Sequence, residues 1–332
     1  MKRTQSSGGV FTAVNVARVP KKRSLKGALL GPQQNISTLQ TVVKSLAMDA
    51  RVALVTAGWQ EREDQDSELH DLLGKKTLNL NLYQRAEQVF ATDREFARLH
   101  RARQDRMRLR QEYYRLRINR FGDAALDIAR MVAGSEFEAD EARVSIESIR
   151  NCDRAHIAHC RAAREEFEHV AKPFERPSIA RHRDEIATIL RSTKVLAIAG
   201  GHVAILLNRL RMFGIADLID DQILVAWSGG AMVTGDQLVL FHESPPQGAG
   251  VSEILDEGLG LHHGVLPLPY PKMRLKLDDP LRVGWLARRN DPVRCIAFDH
   301  GEYVMFDEKR WYGASGTQWL KTDGSVSPVW TS

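Results

Sequence analysis

The stretch LVAWSGGAMVTGD, Leu224 to Asp236, decides how this chain is read. Ile223 through Trp227 is an unbroken apolar run of strand length, and it stops at Ser228. Gly229 and Gly230 follow, then small and apolar residues. An apolar run ended by such a turn signal reads as a buried strand, with a helix starting after the break. A serine at that break has two readings. It can cap the helix, its hydroxyl accepting an orphan amide of the first turn. It can also sit on a strained strand-to-helix turn that lifts a nucleophilic hydroxyl clear of a sheet. The local residues fit both, so the rest of the chain must decide.

Strand and helix patterns alternate ahead of this point. KGALLGP reads as a short strand ended by Gly31-Pro32, ISTLQTVVKSL as a helix, RVALVTAGW as a second strand and TLNLNLY as a third. Such alternation implies a parallel, doubly wound sheet. From about Ala91 to Leu190 the strand pattern gives way to long, charge-dense helical segments, with Pro173 and Pro177 marking a joint. Strands resume with KVLAIAGG, QILVAWS, QLVLFHE, GVLPLP, VRCIAF and EYVMF. The expectation is an α/β domain of residues 26–90 and 191–332, interrupted by a helical insertion, 91–190. Strands near 27–30, 52–57, 77–82, 194–199 and 222–227 should form one parallel sheet.

Composition narrows the class. The 332 residues are 43% hydrophobic, and no apolar run approaches the ~20 residues of a membrane span. Three cysteines, Cys152, Cys160 and Cys295, cannot make an extracellular disulfide framework, so a reducing, cytoplasmic setting is expected. The net charge of +5 is unevenly placed: no acid precedes Asp49, while Lys2, Arg3, Arg18, Lys21, Lys22, Arg23 and Lys26 crowd the start. Residues 1–25 read as a flexible basic tail, ahead of a transit peptide or a nucleic-acid arm.

The insertion carries arginine at ten positions from Arg94 to Arg120. Phe96, Leu99, Leu109, Tyr113, Leu116 and Phe121 supply a candidate apolar stripe between them. Arginine interleaved with aromatics can bind nucleic acid. Asp93, Glu95, Asp105 and Glu112 break up that field, so a solvated helical hairpin packed on a partner is the expectation, and nucleic acid is not. In NCDRAHIAHCRAA, Cys152, His156 and Cys160 recur at helical spacing, with His159 nearby. One straight helix rarely offers four tetrahedral ligands, so packed cysteines and exposed histidines are expected in place of zinc. No cofactor is expected either.

A second constellation, VLAIAGGHVAILLNRL, ends a strand at Gly200-Gly201 and starts a helix at His202. Neighbouring parallel strands put their carboxyl ends on one edge. The Gly201 and Gly229 amides can therefore flank an oxyanion beside Ser228, with Gly200 next to them.

AIAGGHVAILLNRL followed by LVAWSGGAMVTGD resembles the dipeptidase E and cyanophycinase group of serine peptidases, in the class I glutamine amidotransferase-like superfamily. In that group a Gly-Gly-Gly-Asn strand end precedes a Gly-x-Ser-Ala-Gly-Ala turn. The resemblance covers about Gly27 to Tyr83 and Val195 to Phe306; the helical insertion lies outside it. It implies a flavodoxin-like fold, a small peptide or amide as substrate, Ser228 as nucleophile and Glu243 as the acidic partner. Ala226, Gly229, Ala199 and His202 depart from the motifs. The family histidine follows the GLGL segment at a strand ending in Pro-His; here Tyr270 stands at the matching point.

A serine needs a base within hydrogen-bond reach, and a phenol of pKa ~10 is a poor one at neutral pH. His242, beside Glu243, and His202, at the helix start, are the candidate substitutes. His262 and His263 lie roughly 20 Å from Tyr270 along an extended strand, which argues against them. Two functions are open: a serine hydrolase acting through Ser228, or a non-catalytic relative that serves as a binding or assembly module, meeting a protein partner or a second copy through its insertion.

Overall fold

Short apolar runs build the centre of the molecule, for which a computed structural model describes residues 25–34, 36–131, 135–241, 250–307, 310–314 and 316–329. Residues 1–24 of the expected tail, and both His242 and Glu243, lie outside the described residues. β1 (Gly27–Leu30), β2 (Val52–Val55), β3 (Thr77–Asn79), β4 (Val195–Ile198) and β5 (Ile223–Trp227) run parallel in the order β1-β5-β4-β2-β3. Every residue of β1, β2, β4 and β5 is buried, because helices cover both faces, and that is why these runs are continuously apolar. The order β3-β2-β4-β5 is the flavodoxin-like doubly wound order, with β1 taking the fifth place. The five expected strands thus form one parallel sheet.

Among the described residues eight further strands follow: β6 (Gln237–Leu240), β7 (Glu253–Glu257), β8 (Val265–Pro269), β9 (Arg294–Phe298), β10 (Tyr303–Phe306), β11 (Trp311–Gly313), β12 (Gln318–Leu320) and β13 (Val326–Pro328). Only β10 and β11 extend the central sheet, antiparallel and beyond β1. β8, β9, β12 and β13 make a second sheet, and β6 pairs with β7 alone. An apolar run reports that a strand is buried, not which strand it pairs with.

The helices are α1 (Leu39–Leu46), α2 (Ser67–Leu72), α3 (Leu82–Thr92), α4 (Arg94–Met131), α5 (Glu136–Ala171), α6 (Pro177–Arg191), α7 (Val203–Met212), α8 (Ile215–Leu218), α9 (Gly229–Thr234), α10 (Pro271–Arg274) and α11 (Pro280–Asn290). On one sheet face Ala28, Leu30, Leu54 and Ala197 pack with Leu39, Val42 and Val43 of α1. On the other, Leu29, Val55, Ile198 and Leu224 share a core with Phe96, Tyr114, Ile118 and Ile149 of the long helices. Among the described residues no strand falls between 91 and 190.

Most of the apolar stripe expected on α4 stays on the surface. Phe96 is buried and Leu99 partly so, but Leu109, Tyr113, Leu116 and Phe121 are 50%, 58%, 62% and 41% exposed. The inward face runs instead through Phe96, Arg103, Gln111, Tyr114, Ile118 and Gly122. Polar side chains hold this face because partners await them: Gln111 Nε2 donates to Glu253 Oε2 at 3.0 Å, and Tyr114 Oη donates to Asp153 Oδ1 at 2.6 Å. Asp153 also receives Arg289 Nε at 2.7 Å and Nη2 at 2.8 Å, which locks α4, α5 and α11 together. Other arginines pair with acids on the surface, Arg106 with Glu166 and Arg176 with Asp93. His156 also departs from expectation. It is buried and stacked on Tyr114 at 4.0 Å between ring centroids, while His159 is exposed. Among the described residues, no group of His, Cys, Asp and Glu is arranged to hold a metal.

Candidate active site

Ser228 ends β5 with φ 52° and ψ −124°. A non-glycine residue held there stores roughly 1–3 kcal/mol of strain, which persists only where the surroundings over-determine it. Its amide donates to Leu30 O of β1 at 2.9 Å, so the turn is pinned to the neighbouring strand. The side chain makes no capping hydrogen bond to α9. Of the two readings of this serine, the cap is excluded and the strained turn is what the fold contains.

Three strand ends meet here. The strand order reverses between β2 and β4, which makes the carboxyl edge of that pair the usual crevice of such a sheet. Gly58, after β2, accepts the His202 amide at 2.8 Å. Gly201 follows β4 at φ 115°, and a Cβ there would lie 2.4 Å from Gly58 O, so both the backbone and the space demand glycine. A Cβ on Gly229 would lie 3.1 Å from Gly201 O and 3.5 Å from Gly201 N. Gly229 opens α9, where an amide has no acceptor within the helix. Gly200, Gly201 and Gly229 are thus gathered around Ser228.

Tyr270 reaches the same spot from the second sheet. It follows β8 with φ 61° and ψ 44°, a left-handed conformation that turns the chain into α10. The phenol donates to Gln34 Oε1 at 3.3 Å and lies beside the Ser228 hydroxyl. Burial raises the Tyr270 pKa above its usual value, and the nearby Ser228 hydroxyl acts in the opposite sense. The ring of His300 stands edge-on to Tyr270 at 5.6 Å between centroids, its Nδ1 buried and without a hydrogen-bond partner among the described residues. Sequence reasoning missed Gln34 and His300. Gln34 lies just beyond Gly31-Pro32 after β1, and His300 just beyond β9; a search of the residues after each strand would have found both.

Of the two histidines expected as bases, His242 lies outside the described residues. His202 caps α7, its Nδ1 accepting from the Ile205 amide at 3.3 Å, and makes no hydrogen bond to Ser228. His263 hydrogen-bonds Asp236, and His262 is buried against Phe306 and Trp311, where burial pushes its pKa down to about 4. Both precede β8, at the end opposite Tyr270. Among the described residues no imidazole hydrogen-bonds Ser228; the titratable group beside its hydroxyl is the Tyr270 phenol.

The chain matches no protein-family model and no curated protein. Among solved structures it is similar to a peptidase from an acI-B1 Actinobacterium, at 12% identity and a TM-score of 0.45, covering 93% of this chain and 97% of that one. It is also similar to a putative peptidase E protein from Listeria monocytogenes EGD-e, at 18% identity and a TM-score of 0.28, covering 40% of this chain and 64% of that one. Superpositions this loose say nothing about chemistry, which has to be read from the site.

Proposed function

We propose that this protein is a serine-hydrolase-like relative of the dipeptidase E and cyanophycinase group, within the class I glutamine amidotransferase-like superfamily. Ser228 attacks the carbonyl of a small peptide or amide. The observation that carries this reading is the uncapped serine at φ 52°, whose hydroxyl stands beside a titratable phenol. The Gly201 and Gly229 amides stabilise the oxyanion. Tyr270 stands where the family has histidine and takes the serine proton, with Gln34 orienting its hydroxyl. A phenol whose pKa is raised above 10 is almost wholly protonated at pH 7, so attack is slow there. Each pH unit gained below that pKa multiplies the phenolate fraction by about ten.

The second reading, a binding or assembly module, is favoured by a different observation. Leu109, Tyr113, Leu116 and Phe121 expose apolar surface on the long helix, where a partner or a second copy can dock. The free thiols of Cys152, Cys160 and Cys295 accord with a reducing, cytoplasmic setting. Among the described residues no helix is long and apolar enough to cross a membrane.

A fluorophosphonate probe separates the two readings. Labelling of Ser228 that is slow at pH 7, climbs steadily to pH 10 and vanishes in Ser228→Ala supports the hydrolase. No labelling at any pH leaves the assembly module.

A further inference from the structure

α4, α5 and α7 enclose a cavity of about 650 Å³, within the range of small-molecule sites. Ser228, Gly229 and Tyr270 are not among its walls, so a ligand held there is independent of the hydrolase reading. Much of the lining is apolar, with Phe96, Met107, Phe167 and Ile205 facing inward. Charged and polar side chains share the wall, and among them Arg103 stands apart. Arg103 is only 8% exposed and lies 5.5 Å from the Phe167 ring centroid. Among the described residues it makes no ion pair, and its Nε has no hydrogen-bond partner.

The acids around it are already engaged. Asp256 receives Arg211 at 2.6 Å, and Glu257 receives Arg164 at 2.6 Å and Arg161. Arg164 Nη1 also lines this region as a buried donor without an acceptor, since Asp256 Oδ1 is 3.9 Å away. Glu168 sits 4.0 Å from Arg164, and Arg115 is taken by Glu253. His100 adds no charge at neutral pH, because burial pushes its pKa down to about 4. Two guanidinium groups, through Arg103 Nε and Arg164 Nη1, therefore hold buried donors that no acceptor meets, with Glu112 and Glu168 also on the cavity wall.

A buried, unpaired guanidinium is among the least favourable groups a protein can hold. An anion in the cavity removes that penalty. The planar fork of arginine suits a carboxylate, and with Glu112, Glu168 and Asp256 also on the wall a monoanion meets less repulsion than a phosphate dianion. The apolar remainder calls for a ligand with a hydrocarbon or aromatic body. We propose that this cavity is a binding site for a small amphipathic carboxylate, its acid group on Arg103 and Arg164 and its apolar body against Phe96, Phe167 and Met107.

The test is calorimetric titration of the full chain with 4-phenylbutyrate and with its neutral amide. The acid is expected to bind saturably and at least about tenfold more tightly than the amide, as expected for hydrogen bonds to a charged group. Arg103→Met should erase that preference, and Ser228→Ala should leave it intact. The comparison of acid with amide on the unaltered protein needs no variant to fold. Equal affinity for acid and amide, no saturable binding of the acid, or a preference that survives Arg103→Met would overturn the proposal. Displacement of the acid by inorganic phosphate would also overturn it, by making the site a phosphate site.

Discussion

A methyl group built on Gly200 would stand 3.2 Å from Ser228 Oγ and 3.0 Å from both Ser228 Cβ and the Gly229 amide nitrogen. The missing side chain of Gly200 therefore leaves room beside the Ser228 side chain. Gly200→Ala is expected to crowd the hydroxyl, cutting fluorophosphonate labelling at pH 10 by more than about tenfold. The accompanying loss of stability should stay within the roughly 1–3 kcal/mol of a mild overpacking. Labelling rates and urea midpoints measured together separate the two effects; unchanged labelling would mean that the hydroxyl faces another way.

Tyr270→His tests whether the phenol limits the site. Histidine is one of the few side chains that adopts the left-handed conformation with some frequency, so φ 61° is no barrier. With a pKa near 6.5 an imidazole is largely neutral at pH 7, where the phenol is protonated. Labelling at pH 7 should rise by about tenfold or more and lose its alkaline climb. A rate unchanged at every pH would show that Tyr270 does not take the serine proton.

The buried pair of Asp153 and Arg289 joins the helical insertion to the C-terminal part of the chain. Their side chains are 9% and 2% exposed, and the Tyr114 hydroxyl belongs to the same network. Asp153→Ala strands the guanidinium in the core and is expected to cost about 3–5 kcal/mol. Asp153→Asn, which keeps the shape and one acceptor, should cost less. Chemical unfolding of both variants checks the order; an Ala variant within about 1 kcal/mol of the unaltered protein would mean that water reaches the pair.

Acid should weaken the fold through His100. Its folded pKa is about 4, lowered chiefly by burial, against roughly 6.5 when unfolded. Above pH 6.5 the ring is neutral in both states and costs nothing. Between 6.5 and 4 only the unfolded chain takes up the proton, so stability falls across that window and levels off below it. The loss is on the order of 1–3 kcal/mol, since the ring keeps an edge on the cavity. His100→Phe, among Phe90, Phe96 and Phe167, should flatten the decline between pH 6.5 and 4.5 in urea titrations.

What could be read from the chain alone was whatever depends on neighbours in sequence. The runs VALV, VLAI and ILVAW announce buried parallel strands, because a strand covered on both faces must be apolar throughout. The break at Ser228-Gly229-Gly230 announces a turn, and the charge-dense stretch after Thr92 announces helix. Contacts between distant segments were not legible. Counting apolar residues picked out Leu109 and Tyr113 as a stripe of α4; the fold turned Arg103, Gln111 and Tyr114 inward, because acids and a cavity from other elements met them there. Likewise, Ser228 had two meanings in the sequence, a cap or a strained turn. Only the arrival of Tyr270 from a second sheet, with Gly200 leaving room, decided its surroundings. The physical reason is the same in both cases. Secondary structure follows from local backbone and side-chain preferences, whereas the surroundings of a polar group are set by whichever distant side chains the packed fold brings within hydrogen-bond reach.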